Sequence, residues 1–81
     1  VNYILSVEGV QLGMLFIELK NGFKVSFRSK GDIAVNRLAG IFGGGGHTNA
    51  AGARFRDLDI SLMIPKILEE AINFYKKYSE G

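Results

Sequence analysis

The chain has 81 residues, of which 47% are hydrophobic and 22% are charged; its formal net charge is +2 and it contains no cysteine. These values exclude an intrinsically disordered chain and a disulfide-stapled scaffold, and no apolar run approaches the roughly 18 residues that a membrane span needs. The length suits a single domain over residues 1–81, and we expect a cytoplasmic protein without membrane contact.

Charge is unevenly distributed along the chain. From Lys20 to Arg56 there are seven basic residues and one acidic residue, a net charge of +6, whereas the remainder has three basic and seven acidic residues, a net charge of −4. A basic middle predicts an anionic partner for that segment. A solvated surface with scattered basic side chains explains the same pattern equally well.

The first half of the chain predicts strands. Residues 1–6 are apolar and lack a capping signal, so we interpret them as the tail of a preceding element and the chain as a fragment of a longer protein. Leu12–Leu19 and residues 23–28 are β-rich runs joined by Asn21-Gly22, which is the strongest short hairpin signal. Because the first run is apolar on both faces, it is predicted to be central in a covered sheet.

This turn also predicts the register of the hairpin. It sets Ile17 opposite Ser26 and Leu15 opposite Arg28. Since side chains in a strand alternate between faces, Ser26 and Arg28 share one face of the sheet.

The second half predicts two helices on either side of a glycine-rich segment. Asp32 or a slightly later residue begins the first helix, whose buried stripe consists of Val35, Leu38, Ala39 and Phe42. A short strand is predicted over residues 54–56. A long apolar face predicts a final helix with Ser61 as N-cap and Pro65 in or near its first turn. The fold class is therefore α/β: a small mixed sheet flanked by helices in a single domain.

Four consecutive glycines, Gly43 to Gly46, precede His47, the only histidine in the chain. Such a run costs conformational entropy on folding, so a compact domain keeps it either as a flexible loop or because its backbone approaches a ligand closely. Its position between a helical stripe and a small-residue segment favours the second explanation, with backbone amides turned toward an anion.

Several other roles for His47 lack the residues they need. A lone histidine is more often a buried residue whose ring nitrogens form hydrogen bonds within the protein. A metal site at His47 would need further ligands, and no second histidine, cysteine or nearby carboxylate accompanies it. Nor does a nucleophile with an orienting acid accompany it. A nucleotide-binding P-loop requires Lys followed by Ser or Thr where His47-Thr48 stands, and a dinucleotide-binding loop follows a strand rather than a helix. A hydrogen bond from the imidazole to a phosphate or ribose oxygen needs none of these partners.

Four short segments occur in a specific order: VSFRSKG at 25–31, VNRLA at 35–39, FGGGGH at 42–47 and AAG at 50–52. From about Gly9 to the final helix, their order and spacing resemble the DHH-associated domain of DHH-family phosphoesterases, in particular the oligoribonuclease and pAp-phosphatase type. The resemblance implies a domain that binds short oligoribonucleotides or nucleoside bisphosphates. Two alternatives stay open. One is a tRNA- or single-strand-binding module related to the alanyl-tRNA synthetase C-terminal domain or to RecJ-type exonucleases; the other is a structural domain without a ligand.

The resemblance also implies a division of labour within a longer enzyme. In this family an N-terminal domain binds two manganese ions through Asp and His residues, including an Asp-His-His motif that this chain lacks. We therefore expect no cofactor and no catalysis in this domain alone, with manganese held by the missing N-terminal domain. The expected partners are that DHH catalytic domain and short RNA or DNA or a nucleotide, and the oligomeric state stays open, a homodimer included.

Carried over by position, the resemblance assigns substrate contacts to two segments. Arg28 is expected to bind phosphate or base, for which its planar guanidinium is suited. Ser26 or Ser29 is expected to form a hydrogen bond nearby, and His47 to donate one to a phosphate or sugar oxygen. The backbone of Gly44, Gly45 and Gly46 is expected to lie close to the substrate. Asn49 is expected to offer a further contact. As an alternative, Arg28 forms an ion pair with Asp32 or a C-terminal acid, and Ser26 is a polar residue on the polar face of its strand with no role in binding.

Overall fold

The computed structural model describes residues 2–7 and 11–80. The elements in chain order are β1 (Asn2–Val7), β2 (Leu12–Leu19), β3 (Gly22–Ser29), α1 (Val35–Ile41), β4 (Gly45–His47), β5 (Ala50–Arg56) and α2 (Ile60–Glu80). The strands form one sheet in the order β1-β2-β3-β5-β4.

The predicted class, a small α/β domain, is confirmed, with a sheet in which every described pair is antiparallel rather than mixed. The difference arises at α1, which crosses from β3 to β4. These two strands run in the same direction, but β5 inserts between them, so no parallel pair forms.

Both helices cover the same face of the sheet. Alternate residues of the two central strands are fully buried on that face: Leu12, Met14, Phe16, Phe23, Val25 and Phe27. They pack into one core with residues from β5 and both helices, among them Ala51, Ala53, Leu38 and Ile67. β2 is central, as predicted, but no described element covers its other face, where Leu15 and Ile17 are half-buried. We call this uncovered face the open face.

Five phenylalanines form a continuous chain of rings beneath the open face. Their ring centroids are 6.3 Å apart for Phe16–Phe23, 4.6 Å for Phe23–Phe55, 5.7 Å for Phe55–Phe42 and 6.3 Å for Phe42–Phe27. These separations are typical of favourable aromatic pairs. Phe42 directly precedes the glycine run and Phe27 directly precedes the predicted phosphate-binding arginine, so both segments are anchored in the same cluster.

The β2–β3 hairpin has a different register from the one predicted. Leu15 pairs with Ser26, and Gly13 pairs with Arg28. The predicted partners, Arg28 for Leu15 and Ser26 for Ile17, are therefore wrong by two residues. The faces are unchanged, since a shift of two residues preserves the alternation of side chains.

The reason for the shift lies at Gly22. The turn residues are Lys20 and Asn21, and Gly22 is already part of β3 with a φ of 147°. A Cβ at Gly22 would overlap the carbonyl oxygen of Phe55 on the neighbouring strand. The glycine is therefore needed for the close approach of β5, which the local hairpin signal does not reveal.

Two strands were not predicted at all. β1 pairs with β2 along its length, from Asn2–Ile17 to Val7–Leu12, so residues 2–7 belong to this sheet; that they also continue a preceding element stays a prediction. The second is β4, which forms from part of the glycine run. It pairs with the first three residues of β5. β5 itself spans Ala50–Arg56, well beyond the predicted residues 54–56, because it pairs along its whole length with β3.

The start of α1 agrees with the later of its two predicted positions, whereas the start of α2 differs from the prediction. α1 follows Ala34 without a side-chain cap, so Asp32 does not cap it. Instead the Val35 amide donates to the Thr48 carbonyl oxygen at 2.7 Å, a partner distant in sequence.

In α2, the Ser61 amide donates to Oδ1 of Asp59 at 2.8 Å. Asp59 rather than Ser61 is therefore the N-cap, and Pro65 lies inside the helix rather than in its first turn. Neither helix in the described ranges is long and apolar enough to cross a membrane.

Candidate functional site

The register of the sheet brings Arg28 and His47 to the same face. Arg28 pairs with Ala50 on β5, and Ala50 pairs with His47 on edge strand β4. Directly paired residues point to the same side of a sheet, so both belong to the open face. Two strand spacings separate their backbones, which is about 10 Å. The two residues predicted to hold one ligand are thus neighbours across the sheet.

Ser26 lies in the adjacent cross-strand row. It pairs with Leu15 on one side and Gly52 on the other, and Gly52 pairs with Gly45. Where Gly44 and Gly52 lack side chains, the surface next to Ser26 forms a shallow depression of about 380 Å³. The structure therefore groups Ser26 with the glycine run and with Arg28, as predicted.

Two basic residues that the sequence analysis did not assign line the same depression. Lys24 pairs with Arg54 across β3 and β5, and both side chains border the depression. The alternation of residues 23–28 already indicates that Lys24 shares a face with Arg28. Arg54 could not be placed in this way, because its strand was predicted to begin at that residue.

Arg28 is exposed and largely available to a ligand. Its Nη1 donates to the Phe27 carbonyl oxygen at 3.0 Å. The side chain also borders a second depression of about 330 Å³, together with Ile4 and Gly13. Among the residues that the structure describes, we find no ion pair between Arg28 and Asp32. Most of the five guanidinium N–H donors are therefore free to bind an anion.

Three members of the glycine run have structural reasons to be glycine. Gly43 has a φ of 81°, which side chains rarely tolerate. A Cβ at Gly44 would overlap a carbonyl oxygen of β5 and lie 2.8 Å from the Ala53 Cβ. A Cβ at Gly46, whose φ is 147°, would lie 2.6 Å from the Ala51 Cα. These glycines let β4 and the preceding turn pack directly on the neighbouring strand.

Gly45 is the exception within the run. Its φ lies outside the positive region, and a Cβ placed there would meet no atom within 4 Å. Nothing in the described part of the chain therefore requires a glycine at this position. A side chain here would instead occupy space at the edge of the sheet, in the row of Ser26.

Two amides of the glycine run are used within the fold. The Gly43 amide donates to the Gly40 carbonyl oxygen at 3.0 Å, and the Gly44 amide donates to the Ala39 carbonyl oxygen at 2.8 Å. They satisfy carbonyl groups at the end of α1, as helix C-caps commonly do. These two amides are therefore not turned toward an anion.

Ser29 and Asn49 are hydrogen-bonded to each other, away from the open face. Ser29 follows Arg28 in β3 and therefore lies on the opposite side of the sheet, where its Oγ donates to the Ile33 carbonyl oxygen at 2.6 Å. The Asn49 Nδ2 donates to the Ser29 Oγ at 3.0 Å and to the Gly31 carbonyl oxygen at 3.1 Å. These bonds join two loops, and a direct substrate contact by either residue stays a prediction.

The described residues do not fit a manganese site. Within residues 2–7 and 11–80, no three His, Cys, Asp or Glu side chains lie close enough together to hold a metal ion. His47 is exposed at the end of β4, where its ring can meet a ligand. The location of manganese in another domain stays a prediction.

Comparison with known proteins identifies the family. The model of the DHHA1 domain matches residues 1–78, nearly the whole chain. The chain belongs to the DHHA1 domain family. This match confirms the resemblance to a DHH-associated domain that the order of the four sequence segments indicated.

The curated relatives of this DHHA1 domain are much longer proteins. It is 38% identical over 69 residues to a bifunctional oligoribonuclease and PAP phosphatase of Thermus thermophilus, covering 85% of this chain and 21% of that protein. A protein of the same description from Mycoplasma pneumoniae is 44% identical over 54 residues, covering 65% of this chain and 16% of its own length. The chain thus spans about a fifth or less of the curated relatives it matches.

A solved structure shares the fold. An exopolyphosphatase-related protein from Bacteroides fragilis superposes with a TM-score of 0.76 and 34% identity, covering 94% of this chain and 22% of that one. At this similarity, the fold is shared along nearly the whole DHHA1 domain.

Proposed function

We propose that this DHHA1 domain is the substrate-binding part of a DHH-family phosphoesterase that acts on short oligoribonucleotides or nucleoside bisphosphates. The open face around Arg28 and His47 receives the phosphate groups of the substrate. The observation that carries this proposal is the cross-strand row that sets both side chains on one uncovered face. The descriptions of the two curated relatives support the substrate class.

The chemistry of the open face suits phosphate. The Arg28 guanidinium offers paired N–H donors whose spacing matches two phosphate oxygens. The backbone of His47 lies about 10 Å from that of Arg28 across the sheet, and its ring adds a further N–H donor on the same face. Lys24 and Arg54 add positive charge beside the same depression and draw an anionic ligand toward it.

Gly45 gives a second line of support. The neighbouring glycines are explained by backbone conformation or by packing within the chain, whereas Gly45 is not. A missing side chain at the edge of a basic face allows a ligand backbone to approach the strand closely. The absence of a side chain at Gly45 therefore matches a bound nucleotide lying over β4.

In this proposal the DHHA1 domain positions the substrate and another domain cleaves it. The described residues form no metal site, so a DHH domain elsewhere in the parent protein would hold manganese and supply the activated water. Binding energy from the phosphate remote from the cleaved bond helps to hold the reacting phosphate in place. Arg28 and His47 thus act in binding and orientation.

Calorimetric titration of the chain with pAp, a diribonucleotide and a long single-stranded RNA tests the proposal. We expect the two short ligands to bind weakly and to lose affinity as salt is raised, because phosphate contacts release counterions. Arg28→Ala and His47→Ala should each weaken binding about tenfold or more, which is about 1.4 kcal/mol. A clear preference for the long strand would favour the tRNA- or single-strand-binding alternative. No binding of any of the three would contradict both.

A pair of glycine variants separates binding from folding. Gly45→Ala should weaken nucleotide binding without lowering the melting temperature, because its new methyl group meets no atom of the chain. The matched control is Gly40→Ala on α1, where the added methyl group also meets nothing within 4 Å. If both variants bind the short ligands equally well, Gly45 has no part in the site.

A further inference from the structure

The β1–β2 side of the open face differs chemically from the β4–β5 side. A cross-strand row on this side runs from Ser6 through Gly13 to Arg28. In the next row, Ile4 pairs with Leu15. Ile4 is 81% exposed although it lies within a strand. Apolar side chains therefore face solvent close to the guanidinium that is proposed to bind phosphate.

Gly13 has no structural reason to be glycine. It lies inside β2, which is paired on both sides, and the pairing continues through it without a bulge. Its φ is outside the positive region, and a Cβ would meet only the Leu5 carbonyl oxygen, at an ordinary distance of 4.0 Å. A glycine inside a strand otherwise marks the close approach of a ligand or of another backbone. The described part of the chain offers no such backbone, so the glycine points to a ligand.

Two adjoining depressions meet over Gly13. Their volumes are about 330 and 420 Å³, and both are bordered by Ile4, Gly13 and Arg28. The backbones of β1 and β3 are two strand spacings apart, which is about 10 Å. A planar ring in contact with a group on each of its faces needs about 7 Å between those groups. The space over Gly13 is therefore wide enough for one planar ring.

We propose that this space binds the nucleobase of the nucleotide whose phosphate Arg28 holds. The inference rests on the proposed function, which it deepens by giving the base a site of its own. The ring lies over Gly13, with Ile4 and Leu15 on one side and the Arg28 guanidinium on the other. An arginine stacks the flat face of its guanidinium on a ring while its edge N–H groups bind phosphate, so one side chain serves both parts of the nucleotide.

The chemistry of the walls favours a nucleobase over other ligands. An aliphatic group gains little from the Arg28 guanidinium, and a further phosphate gains nothing from Ile4 and Leu15. The π face of a base interacts favourably with both kinds of wall, because it is apolar and also attracts a cation. The position next to the phosphate-binding arginine is the one that a base attached to the same sugar would occupy.

Titration of the isotope-labelled chain, followed by NMR, tests the base site. The two ligands are pAp and its base-free analogue, the corresponding sugar bisphosphate, which carry the same phosphates. We expect pAp to bind about tenfold more tightly, which is within the range that stacking of one base provides. In Gly13→Val the new side chain fills the space, so this advantage should vanish while the base-free analogue binds as before. Valine favours strands, so the melting temperature should not fall.

Ile4→Ser and Ile41→Ser form a matched pair of variants. Both replace an exposed isoleucine, but Ile41 lies on α1, at the covered face of the sheet, and is 56% exposed. Ile4→Ser should reduce the advantage of pAp about threefold or more, because the ring loses an apolar contact. Ile41→Ser should leave it unchanged. Circular dichroism of each variant checks the fold.

The outcomes separate the base site from the proposed function. Equal affinity of the unmodified chain for both ligands overturns the base site and leaves the phosphate site intact. Loss of both ligands in a folded Gly13→Val variant would put a phosphate over Gly13 and overturns it as well. An advantage of pAp that persists in Gly13→Val and in Ile4→Ser means that the base binds elsewhere. If neither ligand binds the unmodified chain, the proposed function fails and the base site fails with it.

Discussion

Gly44 and Gly45 are adjacent in the sequence, yet substitution by alanine should affect them in opposite ways. In Gly44→Ala the new Cβ overlaps a carbonyl oxygen of β5 and lies 2.8 Å from the Ala53 Cβ, where unstrained carbons lie about 3.5 Å or more apart. The strand must move away from β5 or the turn must distort, and forcing extra atoms into a packed site costs about 1–3 kcal/mol. Reduced freedom of the unfolded chain returns about 0.4–1 kcal/mol.

The net destabilisation of Gly44→Ala is therefore about 1–2 kcal/mol, which for a domain of this size lowers the melting temperature by roughly 4–15 °C. Gly45→Ala faces no clash, so its stability should be unchanged or slightly higher. Thermal unfolding followed by circular dichroism measures both variants under identical conditions. Equal melting temperatures for Gly44→Ala and Gly45→Ala would refute the division of the glycine run into packed and free positions.

Four further substitutions, the last of them a control, test individual roles. His47→Ala should leave the melting temperature nearly unchanged while weakening nucleotide binding about tenfold or more, since the ring is exposed; a large drop in melting temperature would mean that the ring supports the fold. Asn49→Ala removes two hydrogen bonds that link the β4–β5 turn to Ser29 and Gly31, so unfolding in urea should show a loss of about 1–2 kcal/mol; unchanged stability with lost binding would instead indicate a direct ligand contact. Asp59→Ala removes the N-cap of α2 and should cost about 1 kcal/mol in the same assay, whereas Ser61→Ala should cost little.

The sequence predicted the elements whose signals are local. Alternating residues in β3 and the helical stripe around Leu38 reflect burial on one face, so both elements and the shared face of Ser26 and Arg28 are confirmed. The family resemblance is confirmed for a similar reason, because its segments combine turn glycines with residues of fixed spacing.

What the sequence did not reveal depends on contacts between distant segments. Gly22 is a strand residue because the backbone of Phe55 packs against it. At the start of α1, the Val35 amide donates a hydrogen bond to the Thr48 carbonyl oxygen. No strand was predicted within the glycine run, since its pairing with β5 has no local signal. For the same reason Arg54 was missed as a neighbour of Lys24 on the open face.

The chain of five phenylalanine rings links the two halves of the open face mechanically. Phe27 and Phe42, which stack at 6.3 Å, hold the strand of Arg28 and the start of the glycine run to one another. A conservative change deep in this chain, such as Phe55→Leu, would therefore shift ligand affinity although it touches no ligand. Outward positions such as Lys24 lie outside the ring chain, so a substitution there would change the charge of the open face without disturbing the packing of the rings.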